Sequence, residues 1–394
     1  MINRYLAQYL KRDASYYPVI TLTGPRQSGK TTLAQSTFPS HQYISLEEPD
    51  QRAFAKEDPR GFLDQFDNSV IIDEVQRVPD LFSYIQTRVD KDPTPGKYVL
   101  TGSQNFLLLD RISQTLAGRS AILHLLPFSR AELEENDQQA PNKNLFANSQ
   151  TDLSLWETIF KGFYPRIHDQ NIPPEIWLPD YVQTYLERDV RSLANIGDLD
   201  TFERFLALCA GRTGQLLNYS SLANDCGIAV DTARRWISIL KTSFIVFLLP
   251  PHHRNFNKRI VKSPKLYFFD TGLASYLLGI KNSQTLTTHP LRGSLFENHI
   301  ASEIAKAFYH HRQRPPLYFW RDQTGHEIDL LLELDNEIYP IEIKSGQTIG
   351  SDAFANLIWW SKVANQPHHK ASLIYGGDQS YSRNEVSVHP WFAI

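Results

Sequence analysis

Apolar residues fall in short, nearly continuous runs along the first third of the chain: Val19–Thr23, Gln42–Leu46, Ser69–Ile72, Tyr98–Thr101 and Ala121–Leu126. Runs this short predict strands, and their lack of alternation predicts strands covered on both faces. Between several of them the apolar spacing changes to three and four, notably over Leu81–Val89, which predicts helices. Tyr5, Leu6, Tyr9 and Leu10 show the same helical spacing, and a further helix is expected from Lys30 to about Ser36. Short apolar strands alternating with helices indicate an α/β fold built on a mostly parallel sheet.

The pattern then changes. Glu134–Asp152 is polar, rich in Asn and Gln, and contains Pro141, which predicts a surface loop or insertion. Helical spacing returns over Pro179–Leu193 and Phe202–Gly211. Ser220–Cys226 and Val230–Leu240 predict a helix-turn-helix around Gly227. Two apolar strands, Phe244–Leu249 and Leu266–Phe269, follow and flank a basic loop. Helices followed by a hairpin predict a winged helix. From Arg292 onward come a helix, strands at Leu317–Trp320, Ile328–Leu334 and Ile338–Lys344, a helix over Asp352–Val363 and a strand at Ala371–Tyr375. The expected division is residues 1–195, with a polar insertion near 134–152, then 196–285 and 286–394.

Bulk properties narrow the classes. A chain of 394 residues is too long for one ordinary domain. The net charge of -3 removes any global basic excess, so a nucleic-acid surface must be local. Cys209 and Cys226 are the only cysteines, far apart in sequence, which argues against a disulfide scaffold or zinc ribbon and fits a reducing cytoplasm. No apolar run is long enough to span a bilayer, which excludes a transporter and places the chain off the membrane.

Gly24-Pro25-Arg26-Gln27-Ser28-Gly29-Lys30-Thr31 reads G-x-x-x-x-G-K-T between an apolar strand and a helix. Gly24 and Gly29 permit a backbone path that turns several N–H groups toward phosphate oxygens, and the helix start adds a field favourable to anions. Lys30 should reach the β- and γ-phosphates of ATP. Thr31 should bind Mg2+, with Thr32 beside it. The second half of the site is Val70-Ile71-Ile72-Asp73-Glu74, a strand ending in two acids at the ligand-binding edge of a parallel sheet. Asp73 is the expected Mg2+ ligand and Glu74 the residue that polarises the attacking water. Ser103, with Thr101 close behind, is the candidate γ-phosphate sensor. Arg119 could stabilise charge on the γ-phosphate, in cis or from a neighbouring subunit of a homo-oligomer. Arg26 is left unassigned.

Gly24–Thr31, Asp73-Glu74, Leu100–Ser103 and Leu116–Arg119, with Tyr185–Asp189, Lys265–Leu273 and Gly293–Asn298, resemble the AAA+-like prokaryotic ATPases that carry a C-terminal domain of unknown function. The resemblance spans nearly the whole chain. It implies a P-loop NTPase core of AAA type, a winged-helix middle and a restriction-endonuclease-like α/β end, and it brings no defined substrate.

Glu327-Ile328-Asp329 followed by Ile341-Glu342-Ile343-Lys344 is similar to the PD-(D/E)XK nuclease pattern, with Ile328 where proline often precedes the aspartate. Period two puts Glu342 and Lys344 on one strand face. A two-residue turn at Asp335-Asn336 would set Asp329 opposite Glu342, close enough to share a divalent cation. Such a metal neutralises charge in phosphodiester hydrolysis and lowers the pKa of bound water, and Lys344 could position or activate that water. Glu297, on a helical segment, matches the helix-borne glutamate of this nuclease group.

Arg254, Lys258, Arg259, Lys262 and Lys265 form a basic run on the expected wing, and Arg234, Arg235 and Lys241 lie on the expected recognition helix with Trp236 in the core. These are candidate phosphate contacts, and DNA the first candidate partner. His252-His253, His310-His311 and His368-His369 lack ligand spacing and read as surface histidines. Two readings follow. One is a Mg2+-dependent ATPase coupled to nucleic-acid binding or processing. The other is an ATP-driven switch or scaffold whose nuclease-like domain only binds a partner.

Overall fold

The computed structural model describes residues 2–66, 68–103, 115–135, 141, 145–146, 150–186, 199–252, 261–365, 367 and 370–394. Two compact units emerge. The first comprises Met1–Phe128, Thr242–Phe244 and Tyr309–Gln313, and the second Ser129–Lys241, Ile245–Phe308 and Arg314–Ile394. The expected first domain runs to residue 195, whereas the contacts group Ser129–Lys241 with the second unit.

In the first unit the five apolar runs become strands β1 (Val19–Gly24), β2 (Gln42–Ser45), β3 (Val70–Asp73), β4 (Tyr98–Ser103) and β5 (Ser120–His124). They form one parallel sheet in the order β2-β3-β4-β1-β5. Alternate residues feed two cores. Val19, Val70, Ile72, Tyr98 and Leu100 pack with Leu81, Phe82, Ile85 and Val89 of helix Leu81–Lys91. Ile20, Leu22, Ile71, Val99, Ala121 and Leu123 pack with Leu6 and Leu10 of helix Leu6–Ala14 and with Leu33 and Ala34 of helix Lys30–Thr37. Coverage on both faces is why the central strands β1, β3 and β4 read as continuous apolar runs, whereas the edge strand β2 is partly exposed.

Gly24 ends β1 with φ 153°, and a Cβ built there would overlap the Leu125 carbonyl oxygen. That oxygen belongs to backbone already tied to β1, since the Leu125 N–H donates to the Thr23 carbonyl at 2.8 Å. Gly24→Ala is expected to destabilise this unit by about 2–4 kcal/mol. The check is the midpoint of its first denaturant transition, and an unchanged midpoint would contradict the clash.

In the second unit, helices Leu199–Ala210, Tyr219–Cys226 and Val230–Thr242 precede a two-stranded antiparallel ribbon, β6 (Val246–Leu249) and β7 (Lys265–Phe268). Gly227, at φ 74°, ends the middle helix in the left-handed conformation that makes the turn. Trp236 packs edge-on against Phe202 and Phe205. The helical pattern expected from Pro179 begins earlier, at Pro174, and gives way to a π-helical turn over Val182–Leu186; residues 187–193 of that segment lie outside the described residues.

Six strands complete the unit: β8 (Leu317–Arg321), β9 (Glu327–Leu334), β10 (Glu337–Lys344), β11 (Ser372–Tyr375), β12 (Tyr381–Arg383) and β13 (Val386–Pro390). Their order is β12-β13-β11-β10-β9-β8, a mixed sheet. Asp335 and Asn336 sit at φ 49° and 66° and join β9 to β10 by the expected two-residue turn.

Candidate functional site

Two clusters of chemically active side chains emerge, one in each unit. In the first, the parallel sheet delivers Gly24, Asp73 and Ser103 to a common edge at the C-terminal ends of β1, β3 and β4. The loop after β1 uses left-handed backbone at Gln27 (φ 60°) and Gly29 (φ 91°) before helix Lys30–Thr37 begins. Ser28 Oγ donates to the Pro25 carbonyl at 3.0 Å. Lys30 Nζ donates to the Gly24 and Pro25 carbonyls at 3.2 and 2.7 Å, which holds its ammonium against the loop. Arg4, just before helix Leu6–Ala14, donates to the Ser28 carbonyl at 3.0 Å and to the Leu126 carbonyl at 2.6 Å, bracing the loop from a segment that sequence reasoning left without a role.

Asp73 is the hub. Its Oδ2 accepts from Thr31 Oγ1 at 3.0 Å and from Tyr43 Oη at 3.0 Å, and its Oδ1 accepts from Thr101 Oγ1. Burial and the Asp73 charge push the Tyr43 hydroxyl up to about 12, so it stays a donor. Thr31 and Asp73 therefore meet as a Mg2+ site requires, a hydroxyl and a carboxylate side by side. Thr32, the next residue of the helix, is exposed. Glu74 follows at φ 54°, a left-handed backbone uncommon for a glutamate. Its burial raises its pKa, against Arg26 and Lys30, which favour the ionised form. Arg26 thus has a location, within electrostatic reach of Glu74. Gln76, which sequence reasoning missed, donates to Glu74 Oε2 at 2.7 Å and to Ser103 Oγ at 3.1 Å.

Arg119 is the residue of this set that the fold takes elsewhere. The Val19 N–H donates to its carbonyl, and Val19 pairs with Ser120, so Arg119 flanks the start of β1 while the loop begins at its end. Five strand residues separate the two, roughly 17 Å at the usual rise. Its guanidinium is ion-paired with Asp90. The cis role expected for Arg119 is therefore corrected by the strand register.

In the second unit, the β9–β10 pairing runs from Glu337 with Leu334 to Ile341 with Leu330. One further step in that register sets Glu342 against Asp329, as the turn length predicts. A register shift on the other side of β9 sets two of its residues, Asp329 and Leu330, against Phe319 alone. Such a bulge re-aims the side chain it carries. Asp329 Oδ2 accepts the Ile343 N–H at 2.8 Å, and Glu342 Oε1 accepts from Lys344 Nζ at 2.6 Å. Glu342 Oε2 is buried, and the Asn356 side chain lies close enough to favour the ionised carboxylate.

Glu297, on helix Arg292–His310, accepts from Tyr267 Oη at 2.5 Å and from Lys265 Nζ at 2.8 Å. Lys265 also pairs with Glu327 at 2.5 Å. Burial, then the Asp329 charge, push Glu297 up to about 7 and Glu342 up to about 8. Burial likewise raises Asp329. For Lys265 burial opposes the charge, but Glu297, Asp329 and Glu327 outweigh it and its pKa rises. Lys344 is raised in the same way by Glu342 and Asp329. Buried acids that raise one another make this cluster a candidate site. Among the described residues no three His, Cys, Asp or Glu side chains form a ready metal cage. A carboxylate pair does fit a Mg2+ ion that shares its coordination with substrate phosphates.

Burial corrects one expected nucleic-acid contact and three expected surface histidines. Lys265, counted with the basic wing, is 2% exposed and points into the acids. His252, His310 and His311, read as surface histidines, are 3%, 0% and 3% exposed; His311 packs its ring on Tyr5 and Tyr9. Arg234, Arg235 and Lys241 are exposed, with Arg234 over the Tyr219 ring, and Lys262 is exposed too. Arg254, Lys258, Arg259, His253, His368 and His369 lie outside the described residues. No described helix is long and apolar enough to cross a membrane.

Residues 16–134 match a family described as AAA domain; residues 152–284 and 292–394 match domains of unknown function, DUF8612 and DUF4143. Over 387 residues the chain is 32% identical to uncharacterized protein Rv2008c of Mycobacterium tuberculosis and to uncharacterized protein Mb2031c of Mycobacterium bovis, covering 98% of this chain and 82% of each relative. Among solved structures it is similar to the Walker-type ATPase PABY2304 of Pyrococcus abyssi, at 15% identity and a TM-score of 0.41, over 70% of this chain and 96% of that one.

Proposed function

Because the chain belongs to the family of the mycobacterial proteins Rv2008c and Mb2031c and carries an AAA domain near its start, we propose that it hydrolyses ATP with Mg2+ and couples this to nucleic-acid processing. The observation that carries the first half is the Thr31–Asp73 hydrogen bond, which brings the phosphate loop and the acidic strand together across the intervening β4. Thr31 and Asp73 would hold Mg2+, which when bound neutralises phosphate charge. Gly24 to Thr32 cradle the phosphates, Lys30 binds their oxygens, Glu74 polarises the attacking water and Ser103 senses the γ-phosphate. Arg119 can act only on the nucleotide of a neighbouring copy, in a homo-oligomer.

The second half rests on Asp329, Glu342, Lys344 and Glu297. We read this cluster as a PD-(D/E)XK-type site on a restriction-endonuclease-like sheet. Asp329 and Glu342 would hold the divalent ion, Lys344 would position the water, and Glu297 would complete the acidic surface. Residues 196–285 read as a winged helix whose Arg234, Arg235 and Lys241 meet phosphates, with DNA the preferred partner and the cytoplasm the expected setting. A second reading, an ATP-driven switch whose C-terminal domain only binds a partner, is favoured by Lys265, whose ammonium already occupies the acids at Glu297 and Glu327.

Cleavage of DNA and RNA with Mg2+ or Mn2+, with and without ATP, separates the two. Cleavage lost in Asp329→Ala is the expected result. No cleavage under any condition, from protein that still turns over ATP, selects the switch.

A further inference from the structure

Gln76 lies two residues beyond Glu74 in a short 3-10 turn, Val75–Arg77. Its amide donates to Glu74 Oε2 and to Ser103 Oγ, at 2.7 and 3.1 Å. An ionised carboxylate only accepts hydrogen bonds, so the face turned to Glu74 must be the NH2 group. Both of its donors are then committed. Ser103 Oγ accepts from that NH2 group, which leaves its own hydrogen to point at an acceptor. Gln76 Oε1 is buried with no hydrogen-bond partner. One neutral amide therefore joins the end of β3 to the end of β4, and it does so at the two residues assigned to the attacking water and the γ-phosphate.

We propose that Gln76 is a positioning residue for hydrolysis, orienting the Glu74 carboxylate and turning the Ser103 hydroxyl outward. It acts through Glu74 and Ser103, so nucleotide affinity does not depend on it. This rests on the ATPase reading above.

Gln76→Leu, which keeps the volume and removes the donors, is expected to lower kcat about 10- to 100-fold, the size of effect that a small misplacement produces. ADP affinity, measured by calorimetry, should stay within about twofold. Gln76→Glu is isosteric, cannot donate to Glu74 and places a second charge beside it; it should lose at least as much, and it decides the matter if the leucine variant fails to fold. The readout specific to positioning is a double-mutant cycle. Adding Gln76→Leu to Glu74→Gln should slow single turnovers no further than Glu74→Gln alone. The inference is overturned by wild-type kcat in both Gln76 variants, by parallel loss of ADP affinity and kcat, or by additive losses in the cycle. If Glu74→Gln itself keeps full turnover, the ATPase role of Glu74 fails first; if that variant is inactive and the Gln76 variants are not, only the role of Gln76 fails.

Discussion

Glu74→Gln is expected to bind ATP and barely hydrolyse it, with kcat reduced by roughly 10²- to 10⁴-fold, the range a positioned general base contributes. The substitution keeps the shape and the Gln76 contact can be re-formed, so the loop and the sheet edge should persist. What disappears is an acceptor for the water's proton at the end of β3. Burial raises the Glu74 pKa, while Arg26 and Lys30 hold it back toward the ionised form, so the wild-type group is poised to take that proton. Lys30→Ala should behave differently. The ammonium sits against the Gly24 and Pro25 carbonyls, where it lines the phosphate loop, so its loss should weaken nucleotide binding and turnover together. Phosphate release measured beside calorimetric affinity tests both, and full turnover in Lys30→Ala would overturn the ATPase assignment.

Glu342→Gln should abolish metal-dependent cleavage and, at pH 8, stabilise the second unit. Glu342 has an ordinary pKa of 4.5 and is pushed to about 8 in the folded chain by burial and by Asp329. Between those values the folded state holds a proton that the unfolded state has released. Its contribution to stability is therefore fully present below about 4.5 and is lost as pH rises through about 8. A neutral amide removes the penalty. The expected gain at pH 8 is about 1–3 kcal/mol, which is less than the full shift converts to, because protonation is shared with Glu297 and Asp329. Thermal unfolding at pH 6 and pH 8 measures it, as a rise in the unfolding temperature that is larger at pH 8. The Lys344 ammonium is not stranded by the change, since it is 42% exposed. Loss of stability in Glu342→Gln would instead make the carboxylate a structural anchor. A variant that gains stability while losing activity marks a site where function holds like charges together.

The central strands of the first unit, β1, β3 and β4, were legible because each is covered on both faces, and continuous apolarity leaves a short run few other conformations. The phosphate loop was legible for a different reason. Its glycines, lysine and threonine act through backbone geometry and one adjacent helix, so the whole device is local. The β9–β10 turn belongs with these: Asp335-Asn336 adopts left-handed backbone, and a two-residue loop then dictates which residues oppose each other across the hairpin.

Contacts that join distant segments were not legible. Tyr43 and Thr101 reach Asp73 only because β2 and β4 flank β3; nothing near Tyr43 marks it, and Thr101 stood out as a candidate γ-phosphate sensor, not as a partner of Asp73. Arg119 sits beside a glycine near a core strand, as an assisting arginine would, yet the parallel register leaves it at the far end of β1 from the loop. Lys265 reads as one more cation of a basic loop, until β7 carries it into the acids around Glu297. The amino-acid sequence by itself determined most of the elements, though not strands β12 and β13, together with the phosphate loop and the spacing of the C-terminal acids, since these follow from short-range sterics and periodicity. Only the tertiary structure decided which charges become neighbours, because strand order and burial are set by the packing of the whole core, and a charged side chain carries no mark of the partner it will meet.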